Sequence, residues 1–381
     1  MLEKNLDKEY CPISGIPEFV RHAAMLAYGE DSPVLEDKRL AIVQSISGTG
    51  ALRVAGEFIQ RHYPKEHFRV LGKRIYIPVP TWPNHKAIFA DSDLEVHHYR
   101  YCDSETIDLD FAGMYEDIAM APNHSIVLLH ACAHNPTGIE PTPEQWKLIS
   151  DVIKSRKHFV LFDMAYQGFA SGDFDRDAAV LRQFVADGHN VGLCQSFAKN
   201  MGLYGERVGA LSFVCRNESE AIAVVSQLKL KIRSMYSSPP IHGARVAAMV
   251  MGSPELRHEW LVEVKAVCSR IILMREQLRQ HLIALVPTRN WDHITRQIGM
   301  FCFTGLDADQ CRRLTYDHSV YLTEDGRISM AGINRHNVRY VAEAIAQVIV
   351  AEKSGQELGE LEGEDRFEKT IQPSRRWQKR Y

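Results

Sequence analysis

Short apolar runs alternate with amphipathic stretches between about residue 40 and residue 215. Because parallel strands need long crossover connections that are usually helices, this alternation indicates a mainly parallel sheet covered by helices on both faces. The apolar runs predict strands at 41–46, 74–79, 125–132, 158–163, 190–197 and 208–215. The spacing of apolar side chains between them predicts helices at 51–62, 143–156 and 176–187.

The pattern changes in the last third of the chain. Apolar residues recur at spacings of three and four throughout 254–285, which predicts one long helix of the kind that links domains. Two short strands, at 300–304 and 327–331, and a closing helix from about residue 336 are expected after it. These elements are typical of a smaller α+β domain.

The patterns together predict an α/β protein of two domains and a tail. We place the large domain at 1–265 and the small C-terminal α+β domain at 266–350. Residues 351–381 are rich in Glu, Lys and Arg and have few apolar anchors, so we expect a charged, solvated tail.

Composition narrows the class of protein. The 381 residues are 45% hydrophobic and 24% charged with a net charge of −3, which is typical of globular proteins and argues against nucleic-acid binding. No apolar stretch is long enough for a membrane span, and the mixed charges of the first residues predict no targeting peptide. The eight cysteines form no Cys-x-x-Cys pair, so neither a disulfide framework nor a metal site is expected.

Unusual polar residues follow four of the predicted strands. Ser47-Gly-Thr-Gly50 follows the first strand and opens a helix, and Asn135, Asp163 and Lys199 come at or after the ends of three others. Since ligands of open parallel sheets bind outside the carboxyl ends of the strands, we expect these side chains to meet. The Gly-rich turn offers free backbone N–H groups to an anion.

Lys199 carries the chemistry that this arrangement indicates. A lysine just past a buried strand loses its proton more readily and then acts as an amine nucleophile. Ser196 and Arg207 flank it and suit a phosphate, which points to a covalently held pyridoxal phosphate. Asp163 suits a protonated pyridine nitrogen, and Tyr166, three residues on, can reach the same ring.

Four further side chains are candidates for the ring and the substrate. Trp82, with His85 nearby, lies on a loop after another strand, where an indole can stack on a flat ring. Arg327 and Arg233 would suit a dicarboxylate through bidentate pairing. The sequence alone does not bring either arginine into the site.

Long motifs relate these residues to a known family. The chain resembles the aspartate aminotransferases of the class I pyridoxal-phosphate family from about residue 3 to residue 350. The sequence around Lys199 and at 231–236 is more similar to the mitochondrial form of the family than to the cytosolic form. The resemblance rests on Ser47-Gly-Thr-Gly-Ala-Leu-Arg53, Pro80-Thr-Trp82, His130-Ala-Cys-Ala-His-Asn-Pro-Thr-Gly138, Phe162-Asp-Met-Ala-Tyr-Gln-Gly-Phe-Ala-Ser-Gly172, the segment 195–209 and Gly326-Arg-Ile-Ser-Met-Ala-Gly332.

The resemblance implies the pyridoxal-phosphate fold of type I and a role for each candidate residue. Lys199 would form the Schiff base with pyridoxal phosphate and shuttle the proton, with Asp163 on the pyridine nitrogen. Arg327 would bind the substrate's α-carboxylate, and Arg233 its side-chain carboxylate. The other implied cofactor contacts are Ser47, Gly48, Thr49, Ser196, Arg207 and Tyr10 at the phosphate, Asn135 and Tyr166 at the ring oxygen, and Trp82 on the ring face, with His85 behind it.

The implied activity is transfer of the amino group of L-aspartate to 2-oxoglutarate, giving oxaloacetate and L-glutamate. Tyr10 and Arg233 would come from the second subunit of a homodimer. A mitochondrial matrix location is implied, with the cytoplasm as the alternative because no transit peptide is visible. Two other functions stay open: an aminotransferase that also accepts aromatic amino acids, and a cofactor-binding dimer with reduced or lost turnover.

Two departures from the family bear on these expectations. Family members carry a further N-terminal segment, which reaches the other subunit and contacts the substrate. We therefore expect cofactor binding to be retained better than full activity. Ser238 stands where the family usually has Asn, and we expect a modest effect on the neighbouring Arg233.

Overall fold

The structure is a computed structural model that describes residues 7–63 and 73–353, apart from the side chains of 351–353. Most of the predicted tail, 354–381, lies outside the described residues. The strands are β1 (Leu40–Ile46), β2 (Arg74–Val79), β3 (Glu95–Arg100), β4 (Cys102–Asp103), β5 (Asp108–Leu109), β6 (Ile126–His130), β7 (Phe159–Met164), β8 (Gly192–Ser196), β9 (Val208–Val214), β10 (Phe301–Phe303) and β11 (Arg327–Ser329).

Helices occupy most of the remaining described chain. A single 3₁₀ turn, Met330–Gly332, follows β11. The α-helices are α1 (Pro17–Tyr28), α2 (Pro33–Glu36), α3 (Ser47–His62), α4 (Asn84–Ala90), α5 (Phe111–Met120), α6 (Pro143–Ser155), α7 (Phe174–Asp177), α8 (Ala179–Ala186), α9 (Glu218–Met235), α10 (His242–Gly252), α11 (Pro254–Leu285), α12 (His293–Arg296), α13 (Ala308–His318) and α14 (Val338–Lys353).

The main sheet has seven strands in the order β1-β9-β8-β7-β6-β2-β3. The strands from β8 to β3 all pair in parallel, which confirms the predicted mainly parallel α/β sheet. Only β9 runs against its neighbours β1 and β8. In the parallel part, His130 pairs with Asp163 and Asp163 pairs with Cys194, so the carboxyl ends of β6, β7 and β8 lie level.

Alternating side chains of the strands bury both faces of the sheet. On β6, Val127 and Leu129 belong to the core beneath α5, α6 and α8, whereas Leu128 belongs to the core beneath α3. Each such side chain, once buried, stabilises the fold by about 1.5–3 kcal/mol. This two-sided burial explains why the central strands read as continuous apolar runs.

Helix α11 contributes to two hydrophobic cores. Near its start, Trp260 and Val264 pack with the core that contains Phe197. Further along, Ile271 and Leu278 pack with α13, α14 and the β10–β11 pair in a separate core. The predicted boundary at 265/266 falls between these two stretches, and it stays a prediction.

Two local expectations differ from the structure. The helical pattern at 176–187 forms two short helices, α7 and α8, which are separated at Ala178, and Asp173 caps the start of the first by accepting from the backbone N–H groups of Asp175 and Arg176. Strand β3 at the sheet edge was not predicted, since it buries only Tyr99 fully and its other positions are polar or half-buried. Within 7–63 and 73–353, no helix combines the length and hydrophobicity needed to cross a bilayer.

Candidate active site

A cavity of about 230 Å³ lies beyond the carboxyl ends of β6, β7 and β8. It contains ten of the predicted site residues, although they are spread over 160 positions of sequence. Four unpredicted side chains, Leu52, Ala165, Ala198 and Tyr204, complete its lining. The predicted residues in the lining are Ser47, Gly48, Thr49, Trp82, Asn135, Asp163, Tyr166, Ser196, Lys199 and Arg207.

One end of the cavity is a narrow cup at the start of α3. The hydroxyl groups of Ser47 and Ser196 lie 2.9 Å apart, and the Ser196 hydroxyl also accepts a hydrogen bond from the backbone N–H of Ala198 at 3.2 Å. A Cβ atom on Gly48 would lie 3.3 Å from the Cβ of Ser196, so a larger residue would crowd the cup. Hydroxyl groups and a helix N-terminus together suit an anion.

Arg207 adds a positive charge to this end of the cavity. Its backbone takes a left-handed conformation, with φ of 53°, just before β9 begins. One guanidinium nitrogen, Nη1, donates to the carbonyl oxygen of Tyr204 at 2.9 Å. The fork of donors on Arg207 matches a phosphate group more closely than a single ammonium would.

The cavity is also lined by a negative charge, that of Asp163. Its Oδ2 lies 3.1 Å from Nε2 of His85, whose Nδ1 lies 2.8 Å from the hydroxyl of Thr81. The His85 ring is fully buried, so these two contacts fix its orientation. Burial by itself would raise the pKa of Asp163, but the His85 hydrogen bond and the attraction of Lys199 hold it below its usual value. Asp163 is therefore a carboxylate at neutral pH.

Lys199 lines the same cavity and interacts electrostatically with both Asp163 and Arg207. Its Nζ is 4.9 Å from the centre of the Tyr166 ring. Burial lowers the pKa of Lys199 below its usual value, and repulsion from Arg207 lowers it further, while the Asp163 charge opposes both. At a given pH, the fraction of Lys199 in the free-amine form is therefore larger than for an exposed lysine. A free amine in a closed cavity is able to attack a carbonyl group and to carry a proton.

Asn135 connects the cavity to the small C-terminal part of the chain. Its Nδ2 donates to the hydroxyl of Tyr166 at 3.3 Å, and its Oδ1 accepts from Nη1 of Arg327 at 3.0 Å. The guanidinium of Arg327 lies 4.5 Å from the centre of the Phe301 ring. Burial raises the pKa of Tyr166 well above its usual value, so its hydroxyl keeps its proton and remains a donor.

Two buried histidines behind Asn135 were not predicted as part of the site. Nδ1 of His130 accepts from the backbone N–H of Asn135 at 3.2 Å, and His134 stacks on Tyr101 with ring centres 3.8 Å apart. Burial lowers the pKa of His130 to about 3, so the ring is neutral. Both histidines lie in the motif that contains Asn135, but their spacing alone gives no sign of this packing.

Tyr10 and Arg233 do not line the cavity. Tyr10 is 87% exposed, and Arg233 is an exposed residue of α9. Their predicted roles require a second subunit and stay predictions. Among the described residues, no group of three or more His, Cys, Asp or Glu is arranged to hold a metal ion.

Comparisons with known proteins extend the likeness beyond this cavity. A family model described as aminotransferase class I and II matches residues 1–345. The mitochondrial aspartate aminotransferase of Dictyostelium discoideum is 55% identical over 346 residues, which are 91% of this chain and 80% of that protein.

Solved structures agree with the sequence comparisons. The cytoplasmic aspartate aminotransferase of Saccharomyces cerevisiae shares 44% identity at a TM-score of 0.87, over 92% of this chain and 86% of that one. An aromatic-amino-acid aminotransferase of Burkholderia pseudomallei, solved covalently bound to pyridoxal phosphate, shares 39% identity at a TM-score of 0.87. That comparison covers 91% of this chain and 85% of the other. The likeness thus includes the main sheet and the small C-terminal part.

Proposed function

The chain belongs to the class I and II aminotransferase family, and on that premise we propose that it transfers the amino group of L-aspartate to 2-oxoglutarate. The products would be oxaloacetate and L-glutamate. One observation carries the proposal: a single cavity joins the amine of Lys199, the carboxylate of Asp163 and the anion cup at Ser47. The relative that is 55% identical to this chain is an aspartate aminotransferase, which supports the choice of substrates.

Pyridoxal phosphate fits the donor set of this cavity. Its phosphate would lie in the cup at Gly48. The hydroxyls of Ser47 and Ser196 and the charge of Arg207 would hold it there. When bound, the cofactor supplies an aldehyde that accepts an amino group and a ring that takes up electrons released at the substrate's α-carbon. The remaining contacts that we assign are Asp163 at the pyridine nitrogen, Asn135 and Tyr166 at the ring oxygen, Thr49 at the phosphate, Trp82 on the ring face and Lys199 at the aldehyde carbon.

The chain's own residues would supply the proton transfer. Lys199 Nζ, with its lowered pKa, takes the proton from the α-carbon of aspartate and later returns a proton as an acid. Asp163 remains negative throughout, since His85 holds its carboxylate and the pKa lies below its usual value. Tyr166 keeps its proton, so its hydroxyl is available as a donor to the ring oxygen, and its ring lies beside Lys199.

Arg327 would bind the α-carboxylate of the substrate. Asn135 accepts one N–H of its guanidinium, and the Phe301 ring supports its flat face. These contacts fix the orientation of the fork and reduce the entropy lost when a carboxylate binds. An α-carboxylate at this place is shared by all amino-acid substrates, so Arg327 does not select aspartate.

Selection of aspartate would depend on Arg233 from a second subunit. This is the residue by which we distinguish a dicarboxylate enzyme from the aromatic alternative, which the likeness to the Burkholderia pseudomallei enzyme keeps open. The third possibility, a cofactor-binding dimer without turnover, has the same cavity. Reaction with substrate therefore separates all three functions.

Aspartate is expected to bleach the visible absorbance of the cofactor-loaded protein much faster than phenylalanine. We predict a second-order rate constant larger for aspartate by a factor on the order of 10², because phenylalanine has no side-chain carboxylate to pair with Arg233 of the second subunit. Stopped-flow absorbance with each amino acid in excess measures both constants under one set of conditions. Equal constants would favour the broader enzyme, and stable absorbance with both amino acids would leave only the cofactor-binding protein.

We propose a homodimer whose two active sites are shared. Tyr10 and Arg233 are exposed and do not line the cavity of their own chain, which supports contributions from the partner subunit. The mitochondrial relative supports a matrix location, and the cytoplasmic yeast structure keeps the cytoplasm as the alternative.

A hybrid dimer tests the sharing directly. One subunit carries Lys199→Ala and the other carries Arg233→Ala, with two tags used to isolate the mixed dimer after co-expression. If the sites are shared, one site of the hybrid is intact and we expect about half of the wild-type activity, whereas each parent dimer has little. A hybrid no more active than its parents would contradict a contribution of Arg233 across the interface.

A further inference from the structure

A connector, residues 294–301, runs from within α12 to the first residue of β10. The backbone N–H of Ile298 donates to the carbonyl oxygen of Gly138 at 2.8 Å. At Gly299, where φ is 82°, a Cβ atom would lie 2.6 Å from the Cβ of Ala133. The connector therefore packs closely against the loop that presents Asn135, and any shift of one would displace the other.

Arg275 of α11 holds this connector from the other side. Its Nη1 donates to the carbonyl oxygen of Ile294 at 2.9 Å and its Nη2 to that of Gly299 at 3.0 Å. Nη2 also donates to the carbonyl oxygen of Phe301. One guanidinium thus joins both ends of the connector to a rigid helix.

The charge on Arg275 is costly in this position. The side chain is buried, its Nε has no hydrogen-bond partner, and among the described residues no carboxylate forms an ion pair with it. A buried charge of this kind lowers stability relative to an apolar residue of similar volume. The hydrogen bonds that offset this cost are all made to backbone carbonyl oxygens of the connector, so Arg275 is specialised for holding that segment.

The connector is linked by a series of contacts to Arg327, the arginine that would bind substrate. Phe301 is held by Arg275 through its backbone, and its ring lies 4.5 Å from the guanidinium of Arg327. Arg327 in turn donates to Asn135, whose loop packs on the connector. Arg275 is thereby linked to Arg327 by two routes, through Phe301 and through the Asn135 loop.

We propose that Arg275 is a positioning residue for substrate binding: it fixes the connector so that Arg327 meets the α-carboxylate in the correct orientation. The proposal rests on the aminotransferase function assigned above. It gives Arg275 no contact with substrate or cofactor. Its effect should accordingly fall on substrate affinity and leave cofactor binding unchanged.

Arg275→Met and Arg275→Lys test this role, with Arg313→Met as the matched control. Nη1 of Arg313, a half-buried residue of α13, donates to the carbonyl oxygen of Val348 in α14 at 3.3 Å, and among the described residues no hydrogen bond joins it to the connector or to Arg327. We expect Arg275→Met to raise KM for aspartate about tenfold, with kcat within about threefold and cofactor absorbance unchanged. Lysine should give an intermediate KM, because it retains the charge but not the fork.

Melting temperatures separate positioning from stability. Arg313→Met should lower Tm and leave KM unchanged, whereas Arg275→Met should raise KM whatever its Tm. A KM for Arg275→Met equal to that of the wild type would overturn the proposal. If the methionine variant does not fold, Arg275→Lys decides the question in the same way, since an unchanged KM overturns the proposal and a raised KM supports it.

Failure of this proposal can be distinguished from failure of the proposed function. A wild-type protein that does not turn over aspartate would contradict the aminotransferase activity alone. In that event, calorimetric binding of succinate, a simple dicarboxylate, replaces KM as the readout. We expect about tenfold weaker binding to Arg275→Met than to the wild type, and equal dissociation constants would overturn the role of Arg275.

Discussion

Lys199→Ala is expected to remove both the visible absorbance of the bound cofactor and transamination. Lys199 is the amine with a lowered pKa inside the cavity, and alanine has neither a nucleophile nor a group that carries a proton. We predict a fall in kcat on the order of 10⁴-fold, at the upper end of the range for loss of a general acid–base group. Absorbance spectra and steady-state turnover of the purified variant measure the two effects.

Two controls separate the amine from the positive charge. Lys199→Arg keeps the charge but offers no free electron pair near neutral pH, so we expect it to be as inactive as the alanine variant. Lys147→Ala removes an exposed lysine that pairs with Asp151 and Asp187, and it should retain wild-type activity. Normal absorbance and turnover in Lys199→Ala would show that another residue performs this chemistry.

Asp163→Asn is expected to lower kcat by about 10²–10³-fold while leaving the cofactor bound. The amide has nearly the same shape as the carboxylate but no charge, so it cannot stabilise a protonated ring nitrogen. His85, which lies 3.1 Å from the carboxylate, also loses its anionic partner. Turnover with aspartate and 2-oxoglutarate, measured at saturating cofactor, gives the size of the effect.

Asp163→Glu is the charge-retaining comparison for this variant. Glutamate keeps the negative charge in a displaced position, so we expect activity between those of the wild type and Asp163→Asn. Similar activity in all three proteins would mean that the charge near the ring nitrogen is not required. A loss of cofactor in Asp163→Asn would instead indicate that the residue serves binding more than the reaction.

Much of the fold could be predicted from the sequence because its central strands are buried on both faces. Their continuous apolar runs, such as 125–132, stand out from the amphipathic helices between them. Edge strand β3 lacks that signal, since half-burial leaves most of its positions polar. The antiparallel direction of β9 could not be predicted from the sequence either. It depends on pairing with β1, some 170 residues earlier, and not on a local pattern.

The site was predictable as a set of residues but not as a set of contacts. Lys199, Asp163 and Asn135 each follow a strand, and parallel strands bring such positions to one edge. The hydrogen bond between His85 and Asp163 joins residues that are 78 positions apart. The hydrogen bond between Arg327 and Asn135 joins residues that are 192 positions apart. Neither contact can be predicted from the local spacing of residues. The orientation of His85 and the link to the small C-terminal part are therefore seen only in the structure.

The central claim is that Lys199 holds the cofactor through its side-chain nitrogen. Reduction of the cofactor-loaded protein with borohydride, followed by proteolysis and mass spectrometry, locates the lysine that carries the cofactor. We predict the added mass on the peptide that contains Lys199, and its loss when aspartate is added before the reduction. Attachment to a different lysine, or a Lys199 peptide without added mass, would contradict the account.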